Sequence, residues 1–220
     1  MTNPEISALG TSAMLFEVGG ELSLETQQRL WALAQTVGTW QQVAEAVPGM
    51  NNLMLTWTAP PASQSEWQRL AEALRRAWDG SEPLILQGRL VEVPVTYGGS
   101  RGPHMADVMA HTGLTLDEVV AIHSAPLYTV YALGSHPGYC YLGGMDSRIA
   151  TPRRKSPIID LPAGSVSIGG VQTGISASAG PSGWNTIGYT EVRFFDPRQD
   201  PPALMRPGDL IRFQVQGIER

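Results

Sequence analysis

The middle of the chain, residues 97–190, combines many glycines with side chains that can bind or transform a ligand. Glycine adopts positive φ angles and leaves room where a Cβ would intrude, so it lets the backbone approach a bound molecule closely. We therefore predict a small-molecule site in this segment. The reactive or hydrogen-bonding side chains among these glycines are His136, Cys140, Ser165, Gln172 and Thr173.

Cys140 is a candidate nucleophile because it is the single cysteine of the chain and two histidines are candidate bases for it. A thiolate requires a nearby proton acceptor or positive charge, which His136 or His123 would supply. A lone cysteine between two tyrosines is also typical of a small buried hydrophobic side chain. Both interpretations of Cys140, as a nucleophile and as part of the core, remain open at this point.

A second candidate nucleophile is Ser100, within Gly98-Gly-Ser-Arg-Gly102. This pattern matches a nucleophile elbow, and Asp107 and His123 follow in an order that a catalytic triad permits. An α/β hydrolase also needs repeated βαβ units, which this chain lacks. The favoured interpretation of the motif is therefore a plain glycine turn.

Positive charge is concentrated in the run Thr151-Pro-Arg-Arg-Lys-Ser-Pro157 of a chain whose net charge is −5. An arginine fork binds two oxygens of a carboxylate or phosphate at once. We therefore expect Arg153 or Arg154 to hold an anionic group of the substrate. The alternative is a solvated loop.

The neutral polar residues Ser165, Gln172 and Thr173 are donors and acceptors that suit an amide or carboxylate ligand. The same groups also satisfy turns in a β-barrel, so both roles remain open. The four histidines lack metal-ligand spacing such as His-x-x-x-His, and we expect no metal site.

Composition sets the general class of the protein. The 220 residues are 42% hydrophobic and 16% charged, which allows a substantial core in one large or two small domains. An acidic pI near 5.3 gives no attraction to nucleic acid or anionic membranes. No export signal and no run of about 18 apolar residues is present. With one cysteine and hence no internal disulfide, we expect a cytoplasmic protein without nucleic-acid or membrane partners.

Residues 1–88 predict a small α+β domain with the element order β-α-β-β-α. Along this segment, apolar residues first alternate with polar ones as in a strand, then follow helical spacing, and then alternate again. The predicted elements are a strand over residues 13–18, a helix after the N-cap Ser23, strands over residues 43–47 and 51–58, and a helix over residues 64–78.

Residues 89–220 predict a mainly β domain with a helical insertion near residues 103–123. The second helix of the insertion has Thr115 and Glu118 in capping-box spacing. After residue 125, short apolar segments alternate with turn residues, as in a β-barrel or sandwich. The expected strands cover residues 89–97, 127–133, 165–168, 191–195 and 210–215.

A series of motifs between residues 97 and 188 is distinctive in order and spacing, and further motifs near both termini extend the pattern over essentially the whole chain. The motifs are Tyr97-Gly-Gly-x-x-Gly-Pro103, His123-Ser124, Pro137-Gly-x-x-Tyr-Leu-Gly-Gly144, Thr151-Pro-Arg-Arg154, Leu161-Pro-Ala-Gly-Ser-Val166, Gly170-x-Gln-Thr-Gly174 and Trp184-x-x-Ile-Gly188. Together they resemble the allophanate hydrolase subunit 1 family, which includes the B subunits of 5-oxoprolinases and the Kip inhibitor of a sporulation histidine kinase.

This resemblance implies an α+β N-terminal domain followed by a cyclophilin-like β-barrel, paired with a cyclophilin-like C subunit of the allophanate hydrolase subunit 2 type. In 5-oxoprolinase these two subunits act with an A subunit, and ATP with Mg²⁺ drives the opening of the lactam of 5-oxoproline to glutamate. A lactam carbonyl is a poor electrophile, and phosphorylation turns its oxygen into a leaving group. Arg153 or Arg154, with Gln172 and Thr173, would hold the substrate carboxylate and stabilise negative charge.

The chain departs from the family pattern at positions expected to face the ligand. His104 stands where relatives have the aspartate of Gly-Pro-Asp, and Tyr139 and Cys140 replace the Phe-Pro of Pro-Gly-Phe-Pro-Tyr. Ile158 replaces an arginine, and Ser176 replaces the tyrosine of Thr-Gly-x-Tyr-Pro. Because most scaffold glycines remain, we expect a related but different substrate, with His104 and Tyr139 among the residues that bind it.

Two other functions fit the same family. Similar paired domains occur in urea carboxylase, where carboxybiotin donates CO₂ to an amide nitrogen, so a biotin-dependent carboxyltransferase is the first alternative. The second alternative is a non-catalytic inhibitor of a histidine kinase, as the Kip inhibitor is.

Overall fold

The computed structural model describes residues 4–220, and the chain falls into two compact units, Met1–Leu86 and Gln87–Arg220. The sequence puts this boundary two residues later, after residue 88. Each unit has its own hydrophobic core. None of the helices in residues 4–220 has the length and apolar character that a membrane span requires.

The first unit is an antiparallel four-stranded sheet in the order β1-β2-β4-β3, with two helices. Alternate residues of β4 are buried, and Leu53, Leu55 and Trp57 pack with α1 and α2 in the core. Ser23 caps α1 as predicted, because its hydroxyl accepts from the Thr26 amide. The elements are β1 Glu5–Leu9, β2 Ala13–Glu17, α1 Leu24–Val37, β3 Val43–Pro48, β4 Asn52–Trp57 and α2 Gln64–Asp79.

The second unit is a closed seven-stranded barrel in the order β10-β7-β6-β13-β5-β12-β9, beside a two-stranded sheet of β8 and β11. The expected architecture, an α+β domain followed by a cyclophilin-like β-barrel, is confirmed. The elements are β5 Leu90–Gly98, α3 Met105–Thr112, α4 Leu116–Ser124, β6 Tyr128–Leu133, β7 Cys140–Gly143, a 3₁₀ helix Ser147–Ile149, β8 Ile158–Leu161, β9 Ser165–Gly169, β10 Gln172–Ile175, β11 Gly180–Ser182, β12 Asn185–Tyr189 and β13 Leu210–Glu219.

The two inserted helices pack on the barrel core through Val108, Val119 and Val120. The predicted capping box of α4 is confirmed: the Thr115 hydroxyl accepts from the Glu118 amide at 3.3 Å, and the Glu118 carboxylate accepts from the Thr115 amide at 2.8 Å. This box fixes where α4 begins.

The strand predicted over residues 191–195 is wrong. Only Phe195 makes an isolated bridge there, to Ala203. The segment has an alternating apolar pattern, but the barrel closes with β12 paired to β5 and β9 and leaves no edge for it. The sequence pattern also missed β1 and the short strands β7, β8, β10, β11 and β12, several of which are rich in glycine or serine.

Candidate functional site

A cleft of about 430 Å³ opens in the second unit where the β6–β7 loop meets the segments before β8 and β12. Its walls combine aromatic rings, hydroxyl groups and two guanidinium groups, and we call it the aromatic cleft. A cleft of this size and mixed lining is typical of a small-molecule site. The side chains that line it include Ser135, His136, Tyr139, Tyr141, Arg153, Arg154, Ser167, Ser176, Ser182 and Trp184.

Tyr139 stands at the centre of the aromatic wall. Its ring centroid lies 4.9 Å from that of Tyr141 and 6.2 Å from that of Trp184, and both pairs are nearly perpendicular. A Cβ placed on Gly174 would lie 2.7 Å from the Tyr139 hydroxyl, so this hydroxyl covers the glycine backbone. Burial raises the pKa of Tyr139, which keeps the hydroxyl protonated and able to donate a hydrogen bond.

The two arginines have different environments. The Arg153 guanidinium lies over the Trp184 ring, 5.7 Å from its centroid, and has no carboxylate partner among residues 4–220. Arg154 is held on both sides: its Nη1 donates to Asp107 at 2.7 Å, and its backbone amide donates to the Gly183 carbonyl at 2.7 Å. Arg153 is therefore the arginine available to a ligand of the aromatic cleft.

His136 lies in the tight loop between β6 and β7. Ser135 before it has a φ of 62°, a left-handed conformation that costs free energy for a residue with a Cβ. The Nε2 atom of His136 is buried and has no hydrogen-bond partner in the described chain. Burial lowers the pKa of His136, so the imidazole is neutral at pH 7. His136 is the only predicted catalytic residue that lines the aromatic cleft.

His123 lies in the barrel core, away from the cleft lining, and its predicted catalytic role is corrected to a structural one. The Tyr97 hydroxyl lies 2.8 Å from Nδ1, and the Thr173 hydroxyl lies 2.8 Å from Nε2. Thr173 donates to the Ser167 carbonyl, so it accepts from His123, and the ring carries its proton on Nε2. Burial lowers the pKa of His123 to about 3. Thr173 is fully used by this network and does not reach a ligand.

The predicted nucleophilic role of Cys140 is also corrected. The side chain is buried in the barrel core, where Sγ contacts the Gly138 carbonyl at 3.4 Å. Burial, with a smaller contribution from Asp209, raises the pKa of the thiol to about 12. A neutral, enclosed thiol is not a nucleophile, so the core interpretation of Cys140 is the correct one.

The remaining predicted residues serve the scaffold. His104 precedes α3, and its Nδ1 accepts from the Thr186 amide at 2.9 Å, which ties α3 to β12. Burial, with help from Arg154, lowers the pKa of His104. The Ser165 hydroxyl donates to the Pro162 carbonyl within a turn, and Gln172 is half-buried outside the cleft lining.

The Ser100 motif is a glycine turn, as favoured from the sequence. Both the amide and the hydroxyl of Ser100 donate to Glu219, at 2.9 and 3.0 Å. Asp107 pairs with Arg154, and His123 pairs with Tyr97 and Thr173, so no triad forms. Within residues 4–220, no group of three His, Cys, Asp or Glu side chains is arranged to hold a metal ion.

Five of these lining side chains were missed as site residues from the sequence: Ser135, Tyr141, Ser167, Ser182 and Trp184. A signal existed for Tyr141, because residues two apart along a strand face the same side and Tyr139 stands two positions before it. Ser167 and Trp184 come from separate segments, which the pairing of β9 with β12 brings together.

Comparisons with known proteins identify relatives of the chain. The family model described as "Carboxyltransferase domain, subdomain C and D" matches residues 4–205. The 5-oxoprolinase B subunit of Escherichia coli O157:H7 is 43% identical over 212 residues, which cover 96% of each chain. The protein of the same name from Haemophilus influenzae is 39% identical over 214 residues, covering 97% of this chain and 99% of the relative.

Two solved structures are similar in fold. The crystal structure of TTHA0988 gives a TM-score of 0.74 at 34% identity and covers 94% of this chain. This chain spans only 40% of that protein's length. The urea carboxylase of Kluyveromyces lactis gives a TM-score of 0.77 at 17% identity, covering 96% of this chain and 22% of the carboxylase, and this likeness shows the fold alone.

Proposed function

The chain belongs to the carboxyltransferase subdomain C and D family and, within it, to the B subunits of 5-oxoprolinases, and we propose that it takes part in the ATP-dependent opening of 5-oxoproline or a related lactam. Because these relatives are subunits of an enzyme, such a protein works with partner subunits. We infer that these are a cyclophilin-like C subunit, which completes the site, and an A subunit, and that the complex acts in the cytoplasm.

The observation that carries this proposal is the guanidinium of Arg153 beside the Trp184 ring in the aromatic cleft. A small ring compound with one carboxylate requires a flat apolar surface and a cation at a fixed distance from it. The Tyr139 and Trp184 rings offer the surface, and Arg153 offers two parallel N–H donors for the carboxylate. This combination suits 5-oxoproline better than an uncharged amide.

The hydrogen-bonding groups around these rings suit the amide end of the substrate. The protonated hydroxyl of Tyr139 can donate to the lactam oxygen, and Ser176 lines the same cleft. His136 is neutral at pH 7, so its imidazole can accept a proton from an attacking water or from the lactam nitrogen. These roles use only side chains that line the aromatic cleft.

The reaction we propose has two stages. ATP first transfers its γ-phosphoryl group to the lactam oxygen, which weakens the amide and makes that oxygen a leaving group. Water then adds to the carbonyl carbon, and the ring C–N bond breaks to give the acyl phosphate of glutamate. A second water hydrolyses this acyl phosphate, which releases glutamate and phosphate. Hydrogen-bond donors such as Tyr139 stabilise the negative charge that develops on oxygen in both stages.

The test is an activity measurement on the chain co-purified with its C and A subunits. We expect 5-oxoproline-dependent ATP hydrolysis with glutamate as product. Arg153→Ala should raise KM for 5-oxoproline by about thirtyfold, since a charge-assisted contact to a carboxylate contributes about 2 kcal/mol.

The matched control is Arg198→Ala, because Arg198 is an exposed arginine whose partner, Asp196, lies outside the cleft lining. This variant should keep the KM of the unmodified complex. A complex that never converts 5-oxoproline, or any other lactam or urea-like amide, with ATP would overturn the proposed function. An unchanged KM in Arg153→Ala would refute only the carboxylate contact.

A second candidate is a biotin-dependent carboxyltransferase, favoured by the description of the family model and by the fold shared with urea carboxylase. An amide held in the aromatic cleft would then receive CO₂ on its nitrogen from carboxybiotin. Avidin separates the two functions, because it inhibits the carboxyltransferase and leaves lactam opening unaffected.

A further inference from the structure

A second cleft, of about 440 Å³, lies against the aromatic cleft and shares Arg153 and Arg154 with it. We call it the basic cleft. Its lining includes Asp107 and His111 of α3 and Arg153, Arg154 and Lys155 of the segment before β8. We propose that the basic cleft binds the phosphate chain of a nucleoside triphosphate. The proposal deepens the proposed function, on which it rests for the identity of the reaction, because it gives the phosphoryl donor a place on this subunit.

The charge of the basic cleft favours a polyanion. Three cationic side chains line it, and the single carboxylate among the lining residues, Asp107, is paired with Arg154 at 2.7 Å. This excess of positive charge occurs in a chain of net charge −5. Lys155 is, moreover, the only lysine of the sequence, whose other 14 cationic residues are arginines. An ammonium group is a compact donor that suits a phosphate oxygen.

Backbone donors add to this charge. The amides of Lys155 and Ser156 follow each other along the segment, and within the described chain neither donates a hydrogen bond. The amide of Arg154, in contrast, is occupied by the Gly183 carbonyl. Two successive free amides beside a lysine and an arginine offer several donors at once, as phosphate-binding loops do.

The segment that carries these donors is held in place before any ligand binds. Thr151 exchanges two backbone hydrogen bonds with Gly170, at 3.1 and 2.7 Å. The Asn185 side-chain amide donates to the Pro152 carbonyl at 2.9 Å and to the Ile168 carbonyl at 3.3 Å. A fixed loop loses little conformational entropy on binding an anion, which favours affinity.

The two clefts share a wall, because Arg153 and Arg154 line both of them. A phosphate chain in the basic cleft would therefore end beside a lactam bound in the aromatic cleft. This arrangement also accounts for the two adjacent arginines. Arg153 faces Trp184 and the substrate carboxylate, while Arg154, anchored by Asp107, forms the boundary with the phosphate chain.

The single lysine allows a sharp test on the purified full-length chain. Pyridoxal 5′-phosphate combines a phosphate with an aldehyde that forms an imine with a neighbouring amine, and borohydride makes the adduct permanent. Only Lys155 and the α-amino group can react. We expect peptide mass spectrometry to show that pyridoxal 5′-phosphate labels Lys155 at least ten times faster than pyridoxal, which lacks the phosphate. ATP and inorganic triphosphate should both protect Lys155, and adenosine should not.

Calorimetry on matched variants measures how much Lys155 contributes to binding. Lys155→Ala should weaken the binding of inorganic triphosphate by about tenfold or more, as expected for the loss of one charge-assisted contact. Lys155→Arg should retain most of the affinity, and Arg198→Ala should retain all of it. Equal affinity in Lys155→Ala and the unmodified chain would overturn the proposal. Protection of Lys155 by orthophosphate at the same concentration as triphosphate would also overturn it, since a chain of phosphates would then not be recognised.

Kinetic measurements on the complex distinguish a failure of this proposal from a failure of the proposed function. In the Lys155→Ala complex, KM for ATP should rise by about tenfold while KM for 5-oxoproline stays constant. If 5-oxoproline is opened and KM for ATP does not change, the phosphate site is refuted and the proposed function stands. If triphosphate binds through Lys155 and no lactam is opened, the phosphate site stands and the proposed function is refuted.

Discussion

Tyr139 and Ser176 are the two departures from the family pattern that line the aromatic cleft. Tyr139 adds a hydroxyl where relatives have phenylalanine, and Ser176 provides a small polar side chain in place of a tyrosine. The other departures have scaffold positions: His104 and Cys140 are buried, and Ile158 begins β8. A cleft that gains a hydroxyl and loses a large ring accepts a more polar or bulkier ligand. These two changes support the related lactam that we propose as an alternative to 5-oxoproline.

Cys140 gives the first prediction, at the scale of the residue. Because its thiol pKa is raised to about 12, the thiol stays neutral in the folded protein, and its burial stabilises the fold at neutral pH. That stabilisation is present below pH ~9 and is lost as the pH rises toward 12. Cys140→Ala should keep full activity and lower the free energy of unfolding by about 1 kcal/mol, since it removes one buried atom of modest size.

Thiol titration and urea unfolding check this prediction. A thiol reagent should leave the folded protein unmodified at pH 8 and should react with one group per chain in 8 M urea. If Cys140→Ala loses activity while circular dichroism shows an intact fold, the interpretation of Cys140 as a nucleophile would be correct after all.

At the scale of elements, a chain of hydrogen bonds joins α4 to the barrel. It runs from Tyr97 of β5 through His123 of α4 to Thr173 of β10 and ends at the Ser167 carbonyl of β9. His123 also stacks on Phe213 of β13, with 4.5 Å between ring centroids. The inserted helix thus contacts strands from several parts of the barrel through one neutral imidazole.

This network makes the stability of the protein depend on pH. The pKa of His123 is about 3 in the folded state and about 6.5 when unfolded, so the unfolded state binds the proton first as the pH falls. The stabilisation is complete above pH 6.5 and is lost toward pH 3, at up to about 1.4 kcal/mol per pH unit. Urea unfolding between pH 7 and pH 5 should show a steeper loss for the unmodified protein than for His123→Gln.

The comparison with His123→Gln also controls for the titration of the other histidines. His104 and His136 have lowered pKa values as well, but both remain in the variant, so the difference between the two slopes reports His123. The variant should be less stable at pH 7, because a buried hydrogen-bonded side chain is changed. Parallel pH profiles would show that the His123 imidazole does not govern this dependence.

The long elements and the chemistry of one loop could be predicted from the sequence. Helices α1 and α2 show clear apolar spacing, and Arg153, His136 and Tyr139, which were selected as site residues, line the aromatic cleft. Thr173 and Cys140 were also selected, but both lie in the core. The sequence could not show this, because a strand of four residues gives no sign of which face turns inward. Family resemblance supplied the barrel, whose short strands pair with partners far away in sequence.

At the scale of the whole molecule, the two units are joined by a stretch without helix or strand between α2 and β5. Its first part is attached to the first unit, since the Leu84 amide donates to the Gln28 carbonyl at 3.1 Å. Its last part is attached to the second unit, since a Cβ on Gly88 would overlap the Gly208 backbone and the Arg89 amide donates to Asp209. Only residues 85–87 lie between these attachments, and Ile85 is 77% exposed.

Limited proteolysis tests this division of the chain. Thermolysin cleaves before bulky apolar residues in flexible, accessible segments, so the first cut should occur before Ile85 or Leu86. Because each unit has its own buried core, both fragments should resist further digestion and keep secondary structure. The double variant Ile85→Asp, Leu86→Asp should remove the cut and leave activity unchanged, as neither residue lines a cleft of the second unit. Early cuts inside either unit, before any cut at the junction, would show that the two cores do not fold as separate units.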